Sequence, residues 1–203
     1  MPERILVPHP PFVSLSAIVT GSGVTVSARD GLGIATVLVR KGQAAALAMR
    51  VKEGFGIDLP RVPRRAMSGK IAFAATGPEA WLAIAEDGGN GFAAFLRDAI
   101  GDYAAVVDQS DGYAVLRVSG QNARALLAKG VPLDLHARSF QVGDLAATVV
   151  SHIGTTIWRL ADREDGAPVF ELLVFRSLAE SFWHWLNESA AEFGLTIVEA
   201  GQS

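Results

Sequence analysis

No cysteine occurs among the 203 residues. That absence excludes disulfides, iron–sulfur ligation, thiol nucleophiles and cysteine-type zinc sites, and it fits a reducing cytoplasm. No run approaches the roughly 18 consecutive apolar residues of a membrane helix. The N-terminal stretch carries Pro8, Pro10 and Pro11, which spoil a signal-peptide core, so residues 1–22 read as an extended arm. Basic charge is scarce too. The formal net charge is −3 and the sequence pI about 5.8, whereas a nucleic-acid partner requires a concentrated basic field. The densest basic stretch, Arg61–Lys70, is short and interrupted by Pro63, and reads as a solvated loop.

What the chain has in abundance is apolar surface. Half of its residues are hydrophobic and only 19% charged, and the mean hydropathy is +0.29. With no membrane span to absorb it, this composition predicts a core plus a large protein-facing surface, as expected of a subunit.

Periodicity divides the chain into short elements. The β-branched runs Gly23–Ala28 and Gly33–Arg40 read as a strand pair or one bent strand. Lys41–Phe55 is helical, with Ala45, Leu47, Ala48 and Val51 at helical spacing and stops at Gly54 and Gly56. Lys70–Thr76 and Ala80–Asp87 form a predicted hairpin. Gly91–Ile100 places Phe92, Phe95, Leu96 and Ile100 on one helical face, and Tyr103–Ser110 returns as a strand. In the second half, a strand at Tyr113–Gly120 precedes a helix at Gln121–Gly130. Strands follow at Leu145–Ile153, Thr155–Asp162 and Pro168–Phe175, with turns at Gly154 and around Gly166. The longest helix, Leu178–Gly194, has a predicted stripe of Leu178, Phe182, Trp185, Leu186 and Phe193. "LTIVEA" closes the chain as a strand.

One pattern occurs twice. Gly42-Gln43 opens an Ala/Leu-rich run ending in "GFGIDLP", and Gly120-Gln121 opens another ending in "GVPLDL". Together with the element order, this predicts an α+β fold of duplicated β-α-β-β-α-β units, the split βαβ or ferredoxin-like arrangement. The first half spans 23–110 and the second 111–203, as one compact pseudo-duplicated unit.

Candidate chemistry does not converge. "GSG" (Gly21–Gly23) and "GLGIAT" (Gly31–Thr36) lack the third glycine, the following helix and the distal acid of a dinucleotide fingerprint. Glu180, His184, Glu188 and Glu192 lie four apart on the longest helix and read as a solvated face, with no second Glu-x-x-His to complete a metal site. His9, His136 and His152 show no zinc spacing. Ser110, in Asp108-Gln109-Ser110-Asp111, has a turn role and no nucleophile elbow around it. Ser177, with Glu180 three residues on, reads as a capping box. Of Trp183 and Trp185, one is expected at an interface. No catalytic, cofactor-binding or metal-ligating residue is therefore assigned.

The residues Val106–Gly194 carry a resemblance. The Asp-x-Ser-Asp-Gly turn at Asp108–Gly112, the run Ser119–Gly130, "PLDLH" at Pro132–His136, the strand at Thr148, and Arg176–Leu186 with its Trp183 and Trp185 resemble the gamma subunit family of heterotetrameric sarcosine oxidase. Before residue 100 the likeness rests on Gly54–Pro60 and Gly77–Asp87. The resemblance implies a fold like the folate-binding domain of the aminomethyltransferases. It also implies a place in a complex with alpha, beta and delta subunits that oxidatively demethylates sarcosine to glycine, passes the one-carbon unit to tetrahydrofolate and forms hydrogen peroxide. FAD, FMN and NAD are then expected on alpha and beta, tetrahydrofolate on alpha and zinc on delta, with no cofactor on this chain. The Lys-Gly-Cys-Tyr motif of related iron–sulfur-assembly proteins is impossible without cysteine, and the chain has no room for the C-terminal barrel of a full aminomethyltransferase. Two alternatives stay open. One is the equivalent subunit of an N-methylglutamate dehydrogenase complex. The other is a free-standing folate-binding protein or one-carbon transferase, in which Asp102, Asp108 and Asp134 would face a pterin's donor edge.

Overall fold

The computed structural model describes residues 10–12 and 21–198. His9 and most of the expected arm over residues 1–22 lie outside them. The first half runs from β2 (Gly33–Val39) through α1 (Ala44–Phe55), β3 (Arg65–Ser68), β4 (Ile71–Gly77), β5 (Ala80–Ala85) and α2 (Phe92–Ile100) to β6 (Ala104–Asp108). The second runs from β7 (Tyr113–Ser119) through α3 (Ala123–Ala128), β8 (Leu145–Val150), β9 (Ile153–Leu160), β10 (Val169–Phe175) and α4 (Ala179–Ala190) to β11 (Leu195–Val198). The duplication is thus real in element order. Each half has three strands between its two helices.

The first sheet has the order β3-β4-β5-β2-β6 and is antiparallel throughout. The second has the matching order β8-β9-β10-β7, followed by β1 (Val24–Ala28) and then β11. Two expectations are corrected here. The run Gly23–Ala28 does not pair with Gly33–Arg40; β1 leaves that half and inserts between β7, to which it is antiparallel, and β11, to which it is parallel. And the basic stretch Arg61–Lys70 is not wholly a loop, since it contains β3. There Arg64 bridges Asp144, the Arg65 amide donates to the Gly143 carbonyl, and the Leu145 amide donates to the Pro63 carbonyl. Edge strands β3 and β8 therefore tie the two sheets together at one corner.

The layers stack as helices, sheet, sheet, helices, because each strand alternates its side chains between two apolar faces. Leu47 and Val51 of α1 and Phe92, Ala93, Leu96 and Ile100 of α2 cover the outer face of the first sheet. Phe95, expected in that stripe, is 52% exposed and lies against Phe55 and Phe92. On the second sheet α4 buries Ala179, Phe182, Trp183, Leu186 and Ala190. Leu178 and Trp185 were expected there instead of Ala179 and Trp183; Leu178 is exposed, ending a 3-10 turn at Arg176–Leu178, and Trp185 is half-buried. That turn also removes Ser177 from the capping position, which Leu178 occupies without a side-chain hydrogen bond. Between β8 and β9 the turn falls at Ser151-His152, with Ser151 at φ 56°, while Gly154 sits inside β9.

Between the sheets Leu32, Ile34, Leu82, Ile84, Val115, Leu145, Trp158 and Leu173 form the third core. No described helix is long and apolar enough to cross a membrane.

The repeated glycines both have positive φ, 77° at Gly42 and 118° at Gly120, and both lead into helices with nearly identical cap conformations at Gln43 and Asn122. Measured from those caps the glycines are one position out of step, so the Gly-Gln match marks similar turns without strict equivalence. Gly120 has a second constraint: a Cβ there would lie 2.5 Å from the Gly23 carbonyl oxygen, at the point where β1 approaches β7. Gly54, inside α1, has open space around it. Gly120→Ala is expected to cost about 2 kcal/mol or more, from left-handed strain plus the clash, while Gly54→Ala gains about 0.5–1 kcal/mol. Urea denaturation of the two variants should move the midpoint in opposite directions.

Candidate functional site

Five charged residues interrupt the apolar strands and their flanks, and the fold brings them to one place. Glu171 of β10 points from the second sheet toward the first with its side chain 4% exposed. Arg117, directly opposite on β7, donates to its Oε1 from Nε at 3.1 Å and from Nη2 at 2.8 Å. The indole Nε1 of Trp158, its cross-strand partner on β9, donates to Oε2 at 2.8 Å. Arg29, just beyond β1, places Nε 3.1 Å from Oε1 and pairs on its other side with Glu86, just beyond β5. The chain of charges thus crosses from one sheet to the other.

Arg65 of β3 completes the cluster. Burial holds its guanidinium below the ordinary arginine pKa, with Glu171 and Glu86 acting in the opposite direction. Its Nε is buried without a hydrogen-bond partner among the described residues, and Nη1 reaches only the Met67 sulfur at 3.4 Å. Sequence reading passed over this cluster. The signal available was a single charge in each apolar strand, Glu171 in "VFELLVF" and Arg117 in "YAVLRVS".

A cavity of about 330 Å³ lies where the β1–β2 and β6–β7 connections meet, lined by Arg29, Asp30, Ser110, Asp111, Tyr113 and Arg176 among others. Ser110 is fully engaged there. Its hydroxyl donates to Asp108 Oδ1 at 2.8 Å and accepts the Ile34 amide at 3.1 Å, so it pins the connection between halves to β2. Among the described residues, no histidine or lysine lines this cavity.

The acidic residues considered for a pterin do not come together. Asp102 lies in the turn before β6 and Asp108 ends that strand, whose extended length from Ala104 is about 13 Å, and both are exposed. Asp134 lies in the loop after α3, its carboxyl held below the usual range by the Ser139 hydroxyl and the His136 amide. On α4, His184 Nε2 lies 3.2 Å from Glu188 and Glu180 is exposed, whereas Glu192, expected on the same helix, falls in the turn after it and pairs with Lys129. His136 and His152 sit on exposed turns. Among the described residues no three His, Asp or Glu side chains gather where they could hold a metal ion.

What the inner faces do offer is apolar overhang. Tyr113 and Phe175, directly opposite on β7 and β10, stack at 5.2 Å with Phe175 53% exposed. Continuing the register leads past Gly154, where added bulk would meet nothing, to exposed Val149 on β8. On the other sheet, Leu38 and Val107 are also exposed on the inward side. The two sheets cover each other centrally and leave apolar corners open.

Removing one partner of a buried ion cluster leaves the others uncompensated. Glu171→Gln is accordingly expected to cost about 3–5 kcal/mol, measured by chemical denaturation. A loss under about 1 kcal/mol would show that Arg29 and Arg117 are already satisfied by water.

With this geometry in view, comparison with known proteins is direct. Residues 41–192 match the sarcosine oxidase gamma subunit family. The sarcosine oxidase subunit gamma of an Arthrobacter species is 32% identical over 170 residues, covering 80% of this chain and 76% of that one. That of Corynebacterium sp. strain P-1 is 36% identical over 118 residues, 58% of this chain and 55% of the relative. Among solved structures, the heterotetrameric sarcosine oxidase from Corynebacterium sp. U-96, in complex with pyrrole 2-carboxylate, contains a chain that superposes with a TM-score of 0.77 and 27% identity, over 92% of this chain and 96% of that one. The glycine cleavage aminomethyltransferase T of Bartonella henselae shares the fold, with a TM-score of 0.61 and 13% identity over 89% of this chain and 48% of that one. The duplicated α+β sandwich and its two-sheet core are those of a folate-binding-domain-like fold, and the chain belongs to the sarcosine oxidase gamma subunit family.

Proposed function

We propose that this chain is the gamma subunit of a heterotetrameric sarcosine oxidase, serving as a structural component with the chemistry carried on the other chains. The observation that carries this reading is the match along 96% of a chain in such a heterotetramer. The site geometry agrees with it. Among the described residues, the acidic trio of the folate alternative is dispersed. The partners in this reading are alpha, beta and delta subunits, with FAD, FMN and NAD on alpha and beta, tetrahydrofolate on alpha and zinc on delta. The complex demethylates sarcosine to glycine, passes the one-carbon unit to tetrahydrofolate and forms hydrogen peroxide, in the cytoplasm.

The open corners of the sheets supply the docking surface. An exposed aromatic stack beside a glycine gap is the kind of anchor that fills or receives a partner pocket, and a subunit that keeps such surface in water alone is at risk of aggregation.

Co-expression with candidate alpha, beta and delta chains, followed by size exclusion with absorbance read in the flavin band, tests the assembly. This chain is expected in the yellow peak at equal stoichiometry, while the purified single chain carries no flavin and produces no sarcosine-dependent peroxide. Phe175→Asp is expected to keep the fold, since the side chain is half in water, but to lower co-elution about tenfold or more. Met49→Asp, at an exposed site on α1, should leave co-elution unchanged. If the chain runs alone and colourless while the other three assemble and turn over sarcosine, the structural role is wrong.

A further inference from the structure

One open quarter of the second sheet's inner face is polar. Two cross-strand rows lie side by side there. Thr196, Thr25, Ser119 and Val169 form one, and Val198, Ser27, Arg117 and Glu171 the other, on strands β11, β1, β7 and β10. Over this floor is a cavity of about 520 Å³, with Leu160 and Arg163 on its wall.

Its lining is unlike that of an ordinary solvated groove. Ser27 and Ser119 are only 5% and 6% exposed, yet neither hydroxyl has a hydrogen-bond partner among the described residues. Neither is among the fully buried unpartnered side-chain atoms, so both hydroxyls open onto the cavity, where water or a bound group supplies the partner. Thr25 adds a third hydroxyl. Two guanidinium groups line the cavity and, among the described residues, no carboxylate does. Arg117 spends Nε and Nη2 on Glu171, and Arg163 is only loosely held, 3.7 Å from Asp165.

The charge count behind the floor points the same way. Arg29, Arg65 and Arg117 face Glu86 and Glu171, an excess of one positive charge in a poorly solvated seam. A bound monoanion cancels it, and a dianion overshoots.

We propose that this cavity is a binding site for a small organic carboxylate. Arg163 and the remaining edge of Arg117 grip the carboxylate, the hydroxyls of Ser27 and Ser119 donate to it, and Leu160, Val169 and Val198 receive an apolar body. Guanidinium forks match carboxylate oxygens in geometry as well as charge. The site involves this chain's residues alone and does not depend on the proposed assembly.

Isothermal titration of the full chain at pH 7 with benzoate, benzamide and inorganic phosphate tests it. Benzoate is expected to bind one per chain, and benzamide, of the same shape without the charge, at least about tenfold more weakly. Arg163→Gln should weaken benzoate about tenfold and Ser27→Ala with Ser119→Ala by a smaller factor, whereas Arg138→Gln, on a loop that does not line the cavity, changes nothing. Because Arg163 is half exposed, its variant folds, and it decides the matter should the double serine variant not. Equal binding of benzoate and benzamide, no saturable heat with benzoate, or benzoate affinity indifferent to Arg163→Gln each overturns the proposal. Phosphate binding more tightly than benzoate overturns the carboxylate assignment.

Discussion

The fold turns on one buried carboxylate. Taking Glu171 out of water costs several kcal/mol unless its oxygens are met from several directions, and here β7 and β9 each deliver a hydrogen-bond donor while Arg29, just beyond β1, adds an ion-pair partner. Such a cluster adds little net stability over an apolar core of equal volume, yet it is intolerant of misplacement. If β1 slipped by one residue, every side chain on it would turn to the other face and Arg29 would leave the cluster. Through Glu86 the same arginine reaches the first sheet, so the packing of one half on the other is constrained by charge geometry where the surrounding leucines and isoleucines would allow sliding.

The duplication explains both the regularity of the chain and its one irregular feature. In the first half β6 pairs directly with β2; in the second, β11 stands one place further out because β1 occupies the slot beside β7. Every helix and all strands but β3 were readable from periodicity, since apolar spacing and glycine stops are local signals. Strand partnership is not local. β1 and β2 are separated by four residues and look like a hairpin, but Gly31, at φ 73°, sends the chain into the other sheet. β3 was hidden because its partner on one side is a four-residue ladder with β4 and on the other a single bridge, Arg64 to Asp144, so it has no alternating apolar face to announce it.

The candidate site was legible to a smaller degree. The absence of cysteine, of a glycine-rich phosphate loop and of a nucleophile elbow could be read residue by residue, whereas the separation of Asp102, Asp108 and Asp134 depends on the turn, strand and loop that hold each of them. The inward charges were missed for a different reason: a lone Arg or Glu in a strand is silent until its cross-strand neighbour is known. The character that results is of surfaces, with apolar corners at Phe175 and Val149 and a hydroxyl-lined quarter at Ser27 and Ser119.

The position of β1 also bears on synthesis. A chain leaving the ribosome makes β1 first, but its two neighbours are β7, some ninety residues later, and β11, at the far end of the described chain. The first sheet can pair while the rest is still being translated, because all of its strand ladders fall between β2 and β6. The second sheet cannot. Until β10 emerges β7 keeps an open edge, and until β11 emerges so does β1; contacts of such long sequence separation form slowly. Nascent chains halted before Leu195 therefore present unpaired strand edges beside an already folded half, which is the state in which a chaperone or a partner subunit has most to protect.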